Sequence, residues 1–391
     1  MKLIYGAAVG CVLAATSAIV RADCDELKAI SLPLTGDLTV TLTEANAPCD
    51  NIAEGELEDF VIEGGALTLT GLDVATFSNV RFTVMDGASL IFDFDKTEFG
   101  PNSDFVVEDN YGEFMMEIME GGYVEFTGEF LATGLRNYFS IFRNEGTLEF
   151  KSDAEFLEPG TNCFRVNTGK LRFRGNLNIV DAIFLGIRNE GGTVRVAGDS
   201  YFENVGSSFD GADGAAVANF DDGIAIFDGT AVFYDMFSQE NGGAVFNEGK
   251  MKFYSKARFF ENRAGIDGGA VYNSNGVLKF FGAVQMIDNI ASDNGGALGV
   301  GGGGEVRFSR WVTMVNNTAS GTGGAMIVGA SGNFEDDGEP SSVEFRKPTK
   351  VRFEGNVKTG TELGCNSIFV EDGSEIIGYP VDDDVDICEE S

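Results

Sequence analysis

The chain of 391 residues contains no histidine, only seven prolines and a single tryptophan. Without an imidazole group, every acid–base mechanism that depends on histidine is excluded. Basic residues are also scarce, because 27 Lys and Arg stand against 62 Asp and Glu, giving a formal net charge of −35. Such a charge disfavours binding to nucleic acids and to anionic lipids. We therefore expect partners of neither kind.

Apolar runs long enough to cross a membrane are missing after the N-terminal segment. Residues 1–22 (MKLIYGAAVGCVLAATSAIVRA) combine an early lysine, an apolar run and small residues that end at Ala22. This pattern predicts a secretory signal peptide, cleaved before Asp23. We therefore predict a secreted or cell-surface protein that is not inserted in a membrane once the signal is removed.

Short alternating strands recur along the chain. In Gly249-Lys250-Met251-Lys252-Phe253, the two apolar side chains share one face and the two lysines share the other, as in a strand with one buried face. The phrase recurs every 23 to 37 residues, ending at Phe126, Phe150, Phe173, Val196, Phe227, Phe253, Phe280, Phe308 and Phe345. A period in this range indicates stacked repeats. We predict an all-β fold, a single-stranded right-handed parallel β-helix (solenoid) of about twelve coils with these phenylalanines stacked inside.

Four copies of Gly-Gly-Ala followed by an apolar residue give the strongest motif, with alanines at steps of 26, 27 and 28 residues. The glycines assigned to this repeat are Gly242, Gly243, Gly268, Gly269, Gly295, Gly296, Gly323 and Gly324. The asparagines assigned to it are Asn241, Asn262, Asn289 and Asn317. Glycine adopts positive φ and lets successive backbones approach closely. We predict that the alanines fill a tight corner, and that the asparagines adopt left-handed geometry and pass amide hydrogen bonds along the stack.

Five cysteines follow the predicted signal, two toward each end and Cys163 in the middle. In an oxidising compartment we expect disulfides between Cys24 and Cys49 and between Cys365 and Cys388. Loops closed in this way would cap the open sheet edges of the first and last coils. Cys163 is expected to be a buried free thiol.

These observations predict four segments. They are a signal peptide at 1–22, an N-terminal cap at 23–60, a β-helix at 61–377 and an acidic C-terminal tail at 378–391. Because each coil of a solenoid packs only on its neighbours, a chain of this length need not divide into several domains.

The pairing of Gly-Gly-Ala-apolar with Phe-x-x-Asn resembles the repeats of chlamydial polymorphic outer-membrane proteins and related β-helix proteins. The best copy is Phe259-Phe-Glu-Asn262 with Gly268-Gly-Ala-Val271, and clear matches cover about residues 200–356. The resemblance implies a right-handed β-helix at a cell surface with a structural or adhesive, non-catalytic role. Its ligand would be an extracellular polysaccharide or a surface protein. The amphipathic C-terminal strands of the outer-membrane family are not evident, so we expect secretion without self-export.

An enzyme is the alternative, because parallel β-helices host polysaccharide lyases. A calcium-dependent lyase needs an acidic metal site and an Arg or Lys as base. The candidate metal ligands are Asp210, Asp213, Asp221 and Asp222. A base such as Arg172 or Arg188 would have to come from neighbouring coils, since no basic residue lies between Arg195 and Lys250. A second alternative is an acidic extracellular matrix protein that binds divalent cations, calcium in particular, through its overall charge.

Two further signals concern the surface. Asn316 begins the chain's single Asn-x-Ser/Thr sequence and is a candidate for N-glycosylation. The lone Trp311 and the nine tyrosines do not cluster in the sequence. We therefore expect no aromatic platform of the kind that stacks on sugars.

Overall fold

A computed structural model gives the fold of the chain. It describes residues 18–22, 37–42, 58–77, 80–100, 114–135, 140–206, 213–329, 340–346, 350–359, 367–371, 373–378 and 387–389. All regular structure in these residues is β-strand. Within them, no helix is long and apolar enough to span a bilayer.

The strands are short, most of them of four or five residues. The first fifteen are β1 (Ala18–Ala22), β2 (Leu38–Leu42), β3 (Glu58–Ile62), β4 (Gly65–Thr70), β5 (Val74–Phe77), β6 (Val80–Val84), β7 (Ala88–Asp93), β8 (Lys96–Phe99), β9 (Phe114–Ile118), β10 (Tyr123–Phe126), β11 (Glu129–Thr133), β12 (Ser140–Asn144), β13 (Thr147–Phe150), β14 (Ala154–Leu157) and β15 (Asn162–Val166). The next fourteen are β16 (Lys170–Phe173), β17 (Leu177–Val180), β18 (Ile187–Glu190), β19 (Thr193–Val196), β20 (Ser200–Glu203), β21 (Val217–Phe220), β22 (Ile224–Phe227), β23 (Ala231–Tyr234), β24 (Phe237–Ser238), β25 (Val245–Asn247), β26 (Lys250–Phe253), β27 (Ala257–Phe260), β28 (Arg263–Ala264) and β29 (Val271–Ser274). The last fourteen are β30 (Val277–Phe280), β31 (Val284–Ile287), β32 (Ile290–Ala291), β33 (Leu298–Gly301), β34 (Glu305–Phe308), β35 (Val312–Val315), β36 (Thr318–Ala319), β37 (Met326–Val328), β38 (Ser342–Phe345), β39 (Val351–Glu354), β40 (Val357–Lys358), β41 (Ile368–Val370), β42 (Glu375–Ile377) and β43 (Ile387–Glu389).

Every strand pairs in parallel with its equivalents one turn before and after. Sheet 1 has the order β1-β2-β4-β7-β10-β13-β16-β19-β22-β26-β30-β34-β38-β42, and sheet 2 runs β5-β8-β11-β14-β17-β20-β23-β27-β31-β35-β39. Sheet 3 has the order β3-β6-β9-β12-β15-β18-β21-β25-β29-β33-β37-β41-β43. From β24 onward a short sheet 4, β24-β28-β32-β36-β40, is inserted between sheets 2 and 3. The fold is therefore a right-handed parallel β-helix, as predicted.

The predicted details at the two ends are less well supported. The predicted number of twelve coils is not confirmed. Strands β2 and β3 of the predicted cap, and β43 of the predicted tail, already pair in sheets 1 and 3. Strand β1, at the end of the predicted signal, pairs with β2. The cleavage before Asp23 stays a prediction.

The predicted disulfide caps are not confirmed either. Cys24, Cys49 and Cys365 lie outside the described residues. Cys388 is disulfide-bonded, but its predicted partner is among those undescribed residues, so both pairings stay predictions. The prediction for Cys163 is confirmed, because this cysteine is free and fully buried in the core, where burial raises the pKa of its thiol.

The predicted phenylalanine stack is present in sheet 1. Phe92, Phe126, Phe150 and Phe173 stack at centroid distances of 4.6, 5.0 and 4.9 Å. Val196 interrupts the stack, which resumes through Phe227, Phe253, Phe280, Phe308 and Phe345 at 4.9 to 5.2 Å. A second stack on sheet 2 joins Phe202, Phe233 and Phe259 at 5.1 and 4.8 Å. These rings belong to the main hydrophobic core of the described residues.

The Gly-Gly-Ala corner has the predicted geometry. Its first glycine adopts positive φ, +65° at Gly268 and +63° at Gly295. At the second glycine the turns approach so closely that a Cβ on Gly269 would lie 2.1 Å from the carbonyl oxygen of Gly296. The alanine that follows, such as Ala270, is fully buried. This corner and the short strand of sheet 4 account for the repeat of 26 to 28 residues in these turns.

The asparagine prediction was right in part. Asn262, Asn289 and Asn317 form a buried ladder, continued by Asn356, in which Oδ1 of each residue accepts from the backbone and side-chain nitrogens of the one before. The left-handed geometry falls one residue earlier, at Glu261, Asp288 and Asn316. Asn241 was wrongly grouped with this ladder, because the residue in register with Asn262 is Met236, whose backbone nitrogen donates to Asn262.

A further ladder was missed. Asn189, Asn219, Asn247 and Asn273 lie at the end of sheet 3 and join through Nδ2–Oδ1 bonds of 2.6 to 2.7 Å. The signal in the sequence is an asparagine two to four residues before each turn glycine, as in Asn247-Glu-Gly249 and Asn273-Ser-Asn-Gly276. Both ladders satisfy polar groups that burial would otherwise penalise.

Candidate functional site: an aromatic groove on the outer corner

The four acids proposed as calcium ligands do not form a metal site in the described part of the chain. Asp210 lies outside the described residues. Asp213 is buried and precedes β21, whereas Asp221 and Asp222 are exposed after β21. The described residues contain no group of three or more acidic or cysteine side chains that could hold a metal ion. The two candidate bases lie on different sheets, Arg172 on sheet 1 and Arg188 on sheet 3.

Several cations on these faces are held in ion pairs. Nε of Arg188 donates to Glu190 at 2.8 Å, and its guanidinium lies 4.8 Å from the centroid of the Phe220 ring. On sheet 1, Glu149 accepts from Nε of Arg174 at 2.7 Å and pairs with Lys151 at 3.2 Å. Burial raises the pKa of Glu149, but hydrogen bonds from Arg174 and Lys151 outweigh it and hold the pKa below its usual range. These charged side chains stabilise the fold through their ion pairs.

Asp213 instead belongs to a polar ladder at the residue before Gly-Gly-Ala or its equivalent. The ladder runs through Asp213, Asn241, Asp267, Asn294 and Thr322. A side-chain oxygen of each of the first four accepts from the backbone nitrogen of the next, at 2.8 to 3.2 Å. Burial raises the pKa of Asp213 to about 7 and that of Asp267 to about 6. Nearby acids, Glu240 for the first and Asp293 for the second, raise them further.

These raised pKa values predict that Asp267→Asn stabilises the protein at high pH. Below about pH 4 the carboxyl is protonated in both folded and unfolded chains, and it adds no pH dependence. As pH rises to about 6 the unfolded chain ionises first, so stability falls, and the loss is complete above the folded pKa. Asparagine, which already serves at Asn241 and Asn294, accepts the same bond without a charge. We expect a gain of about 2 kcal/mol at pH 8 and none near pH 4.

Urea denaturation at the two pH values measures this effect. The exposed Asp222 supplies the control substitution Asp222→Asn, which removes the same charge from the surface. Equal gains from both substitutions would show that only the net charge matters. A gain for Asp267→Asn that persists at pH 4 would also contradict the burial argument.

The most distinctive surface feature is a groove of about 420 Å³ at the corner between sheets 1 and 2. Three exposed aromatic residues line it, Tyr254 (47% exposed), Phe281 (37%) and Trp311 (59%). The rings of Tyr254 and Phe281 stack in parallel with centroids 4.8 Å apart and an interplanar angle of 6°. Lys256 and Arg310 also line the groove. We call these five residues the aromatic groove.

The floor of the groove is formed by small residues. A Cβ on Gly282 would lie 1.7 Å from the carbonyl oxygen of Ser255, so only glycine allows the two turns to approach closely there. Lys350, on the following turn, lies with Nζ 5.3 Å from the centroid of the Trp311 ring, a cation–π contact. A cluster of exposed aromatic side chains of this kind is typical of a binding site.

The groove begins where a structural ladder ends. In earlier turns the same corner is tied by Asp153, Asn176 and Asp199, each accepting from the backbone nitrogen of the residue in register, the last from Thr230. In the next three turns that register position is taken by Lys256, Ala283 and Trp311. Among the described residues the side-chain ladder of this corner ends at Thr230, while backbone hydrogen bonds continue, as from the Ala257 nitrogen to the carbonyl oxygen of Ala283. The groove therefore occupies the turns in which Lys, Ala and Trp replace the Asp, Asn and Thr residues of the ladder.

The expectation that the aromatic residues do not cluster was wrong. Tyr254 and Phe281 are 27 residues apart and in register, whereas Trp311 lies two positions further along its own corner. The signal in the sequence would have been an aromatic residue directly after the inward Phe253 and Phe280. Asn316, the glycosylation candidate, is exposed at a bend with φ of 55°, and its modification stays a prediction.

The chain was compared with models of protein families, with curated proteins and with solved structures, and none matched.

Proposed function

We propose that this chain is a secreted or cell-surface β-helix protein with a non-catalytic, adhesive role, and that it binds sugar rings of an extracellular polysaccharide in the aromatic groove. The groove carries this proposal. Its exposed aromatic rings can pack against the apolar face of a pyranose, and the polar and charged groups beside them can bind the sugar hydroxyls. The groove is shallow and open, which leaves room for the two ends of a polymer to continue past it. Its rings lie in short corners between paired strands, which limits the ordering that binding would require.

The proposal predicts that Trp311→Ala weakens polysaccharide binding by about tenfold or more, because exposed aromatic anchors dominate such contacts. Trp311 is the only tryptophan in the chain, so its fluorescence reports this groove alone. Titration of the wild-type protein with soluble polysaccharides should therefore shift the emission. Binding of the variant is measured by calorimetry.

Phe237→Ala is the matched control, since Phe237 is also an exposed aromatic (44%) but lies on sheet 4. It should bind as the wild type does. Loss of binding in both variants, or no emission change with any polysaccharide, would contradict the proposal. Release of unsaturated sugars, detected by their ultraviolet absorbance in the presence of calcium, would replace the non-catalytic role with the lyase alternative.

A further inference from the structure

The charges of the chain are distributed unevenly around the aromatic groove. Residues 196–249 contain ten Asp and Glu and no Lys or Arg. Residues 250–310, which include most of the groove, contain eight Lys and Arg against five Asp and Glu. Although the chain has a net charge of −35, bases therefore outnumber acids in the region that holds most of the aromatic groove.

Within that region three cations stand in register on the outer face of sheet 1. Strand pairing places Lys252 beside Lys279, and Lys279 beside Arg307. We call these three residues the cationic row. Neighbouring turns are separated by about 4.8 Å, the spacing of paired strands. Arg307 is bound to Glu305 and Glu344, but neither lysine has an acid within ion-pair distance in the described part of the chain.

The cationic row and the aromatic groove form one continuous surface. Tyr254 and Phe281 directly follow β26 and β30, so each lies two residues after a lysine of the cationic row, Lys252 and Lys279 respectively. Lys256 and Arg310 line the groove, and Lys350 reaches the ring of Trp311. Cations therefore lie near the aromatic rings in four successive turns.

We propose that the ligand of this surface is an acidic polysaccharide, bound with its chain along the axis of the β-helix. This inference rests on the proposed function above and specifies its ligand. Carboxylate or sulfate groups contact Lys252, Lys279 and Lys256 or Arg310, while sugar rings pack against Trp311 and the edges of Tyr254 and Phe281. The rise of one turn, about 4.8 Å, is close to the length of one pyranose in an extended chain, so successive acidic sugars meet successive cations.

Charge also fixes where such a chain can bind. The acidic turns before Lys250 repel a polyanion. The polyanion is therefore expected to bind at the basic turns that follow. A single-stranded nucleic acid is less suited to this surface. Tyr254 and Phe281 stack on each other, so no base can insert between them.

The test compares four probes by calorimetry on the full-length mature chain: alginate oligomers, dextran sulfate, neutral dextran and an oligothymidylate. Lys279→Gln should weaken binding of the acidic polymer by about fivefold to tenfold and should lower the salt dependence of its affinity. The matched control is Lys170→Gln, an exposed lysine on sheet 1 outside the cationic row, which should change affinity less than twofold. Circular dichroism checks that both variants fold.

Each result has one meaning. Binding of alginate, of dextran sulfate or of both, weakened by Lys279→Gln and not by Lys170→Gln, supports the proposal and identifies the acidic group. Equal binding of neutral dextran, still lost in Trp311→Ala, would overturn the acidic ligand and leave the proposed function intact. Tightest binding of oligothymidylate would overturn it in favour of nucleic acid. No binding of any polysaccharide would overturn both proposals.

Discussion

Phe280→Ala is expected to destabilise the β-helix by about 3 to 5 kcal/mol, which is the usual cost of truncating a buried phenylalanine. Phe280 is fully buried and stacks between Phe253 and Phe308 at 5.1 and 5.2 Å, and its ring also meets Phe259 edge-on. Alanine would leave a cavity in the middle of the stack, and rigid strands on three sides prevent its collapse. The free energy of unfolding is obtained from urea denaturation followed by circular dichroism.

The neighbouring residue provides the control. Phe281 has the same side chain, but it lies outside the core, where it is 37% exposed and stacks on Tyr254. Phe281→Ala should cost less than about 1 kcal/mol. Because turns of a solenoid interact only with their neighbours, unfolding of the Phe280 variant should begin in the turns on either side, which hydrogen exchange would resolve. Similar losses for the two variants would contradict the internal stack.

Asn289→Ala is the second large effect, with an expected loss of about 2 to 4 kcal/mol. Oδ1 of Asn289 accepts from both the backbone nitrogen and Nδ2 of Asn262, at 3.1 and 2.8 Å. Its own Nδ2 donates to Asn317 at 2.9 Å. Removing the amide leaves a backbone donor buried without a partner, and each such group costs about 1 to 3 kcal/mol. Hydrogen exchange of the Asn262 amide and urea denaturation report the loss.

Asn178→Ala tests whether the ladder is the cause, since Asn178 lies on the outer face of β17. That substitution should change the free energy of unfolding by less than about 0.5 kcal/mol. Asn289→Asp should be at least as damaging as Asn289→Ala, because its second oxygen would face Oδ1 of Asn317 and the carbonyl of Phe259. A stable aspartate variant would contradict the assigned direction of the ladder.

Much of the fold could be predicted because in a solenoid each residue stacks on its own equivalent. The period-two strands and the Gly-Gly-Ala spacing predicted the class of fold. The recurring phenylalanines predicted the aromatic stack of sheet 1. The second stack was not predicted, since its register mixes Phe259 with Met286 and Met314, and no single letter marks it. Asn241 was misplaced because sequence spacing near Phe237 imitates the Phe-x-x-Asn phrase, whereas strand pairing sets the true register at Met236.

The candidate site was harder to predict for a different physical reason. Its rings come from three turns and from two different positions of the corner, so neither composition nor spacing brings them together. Lys252, Lys279 and Arg307 occur at the same place in each repeat and could have been found as a row. The acids proposed for calcium were chosen by their proximity in sequence, but burial and turn geometry separate Asp213 from Asp221 and Asp222.

The uniform register has a consequence at the level of the gene. Phe253 and Phe280 occupy equivalent positions one turn apart. Loss of residues 254–280 would therefore join two equivalent corners and let β26 pair with β34, with every buried row still continuous. Duplication of the same segment would lengthen the molecule without a new kind of contact. A deletion of another length that removes strand residues would break the buried rows, whereas the connections between strands already differ in length, so inherited variation in the number of strands is expected in whole turns.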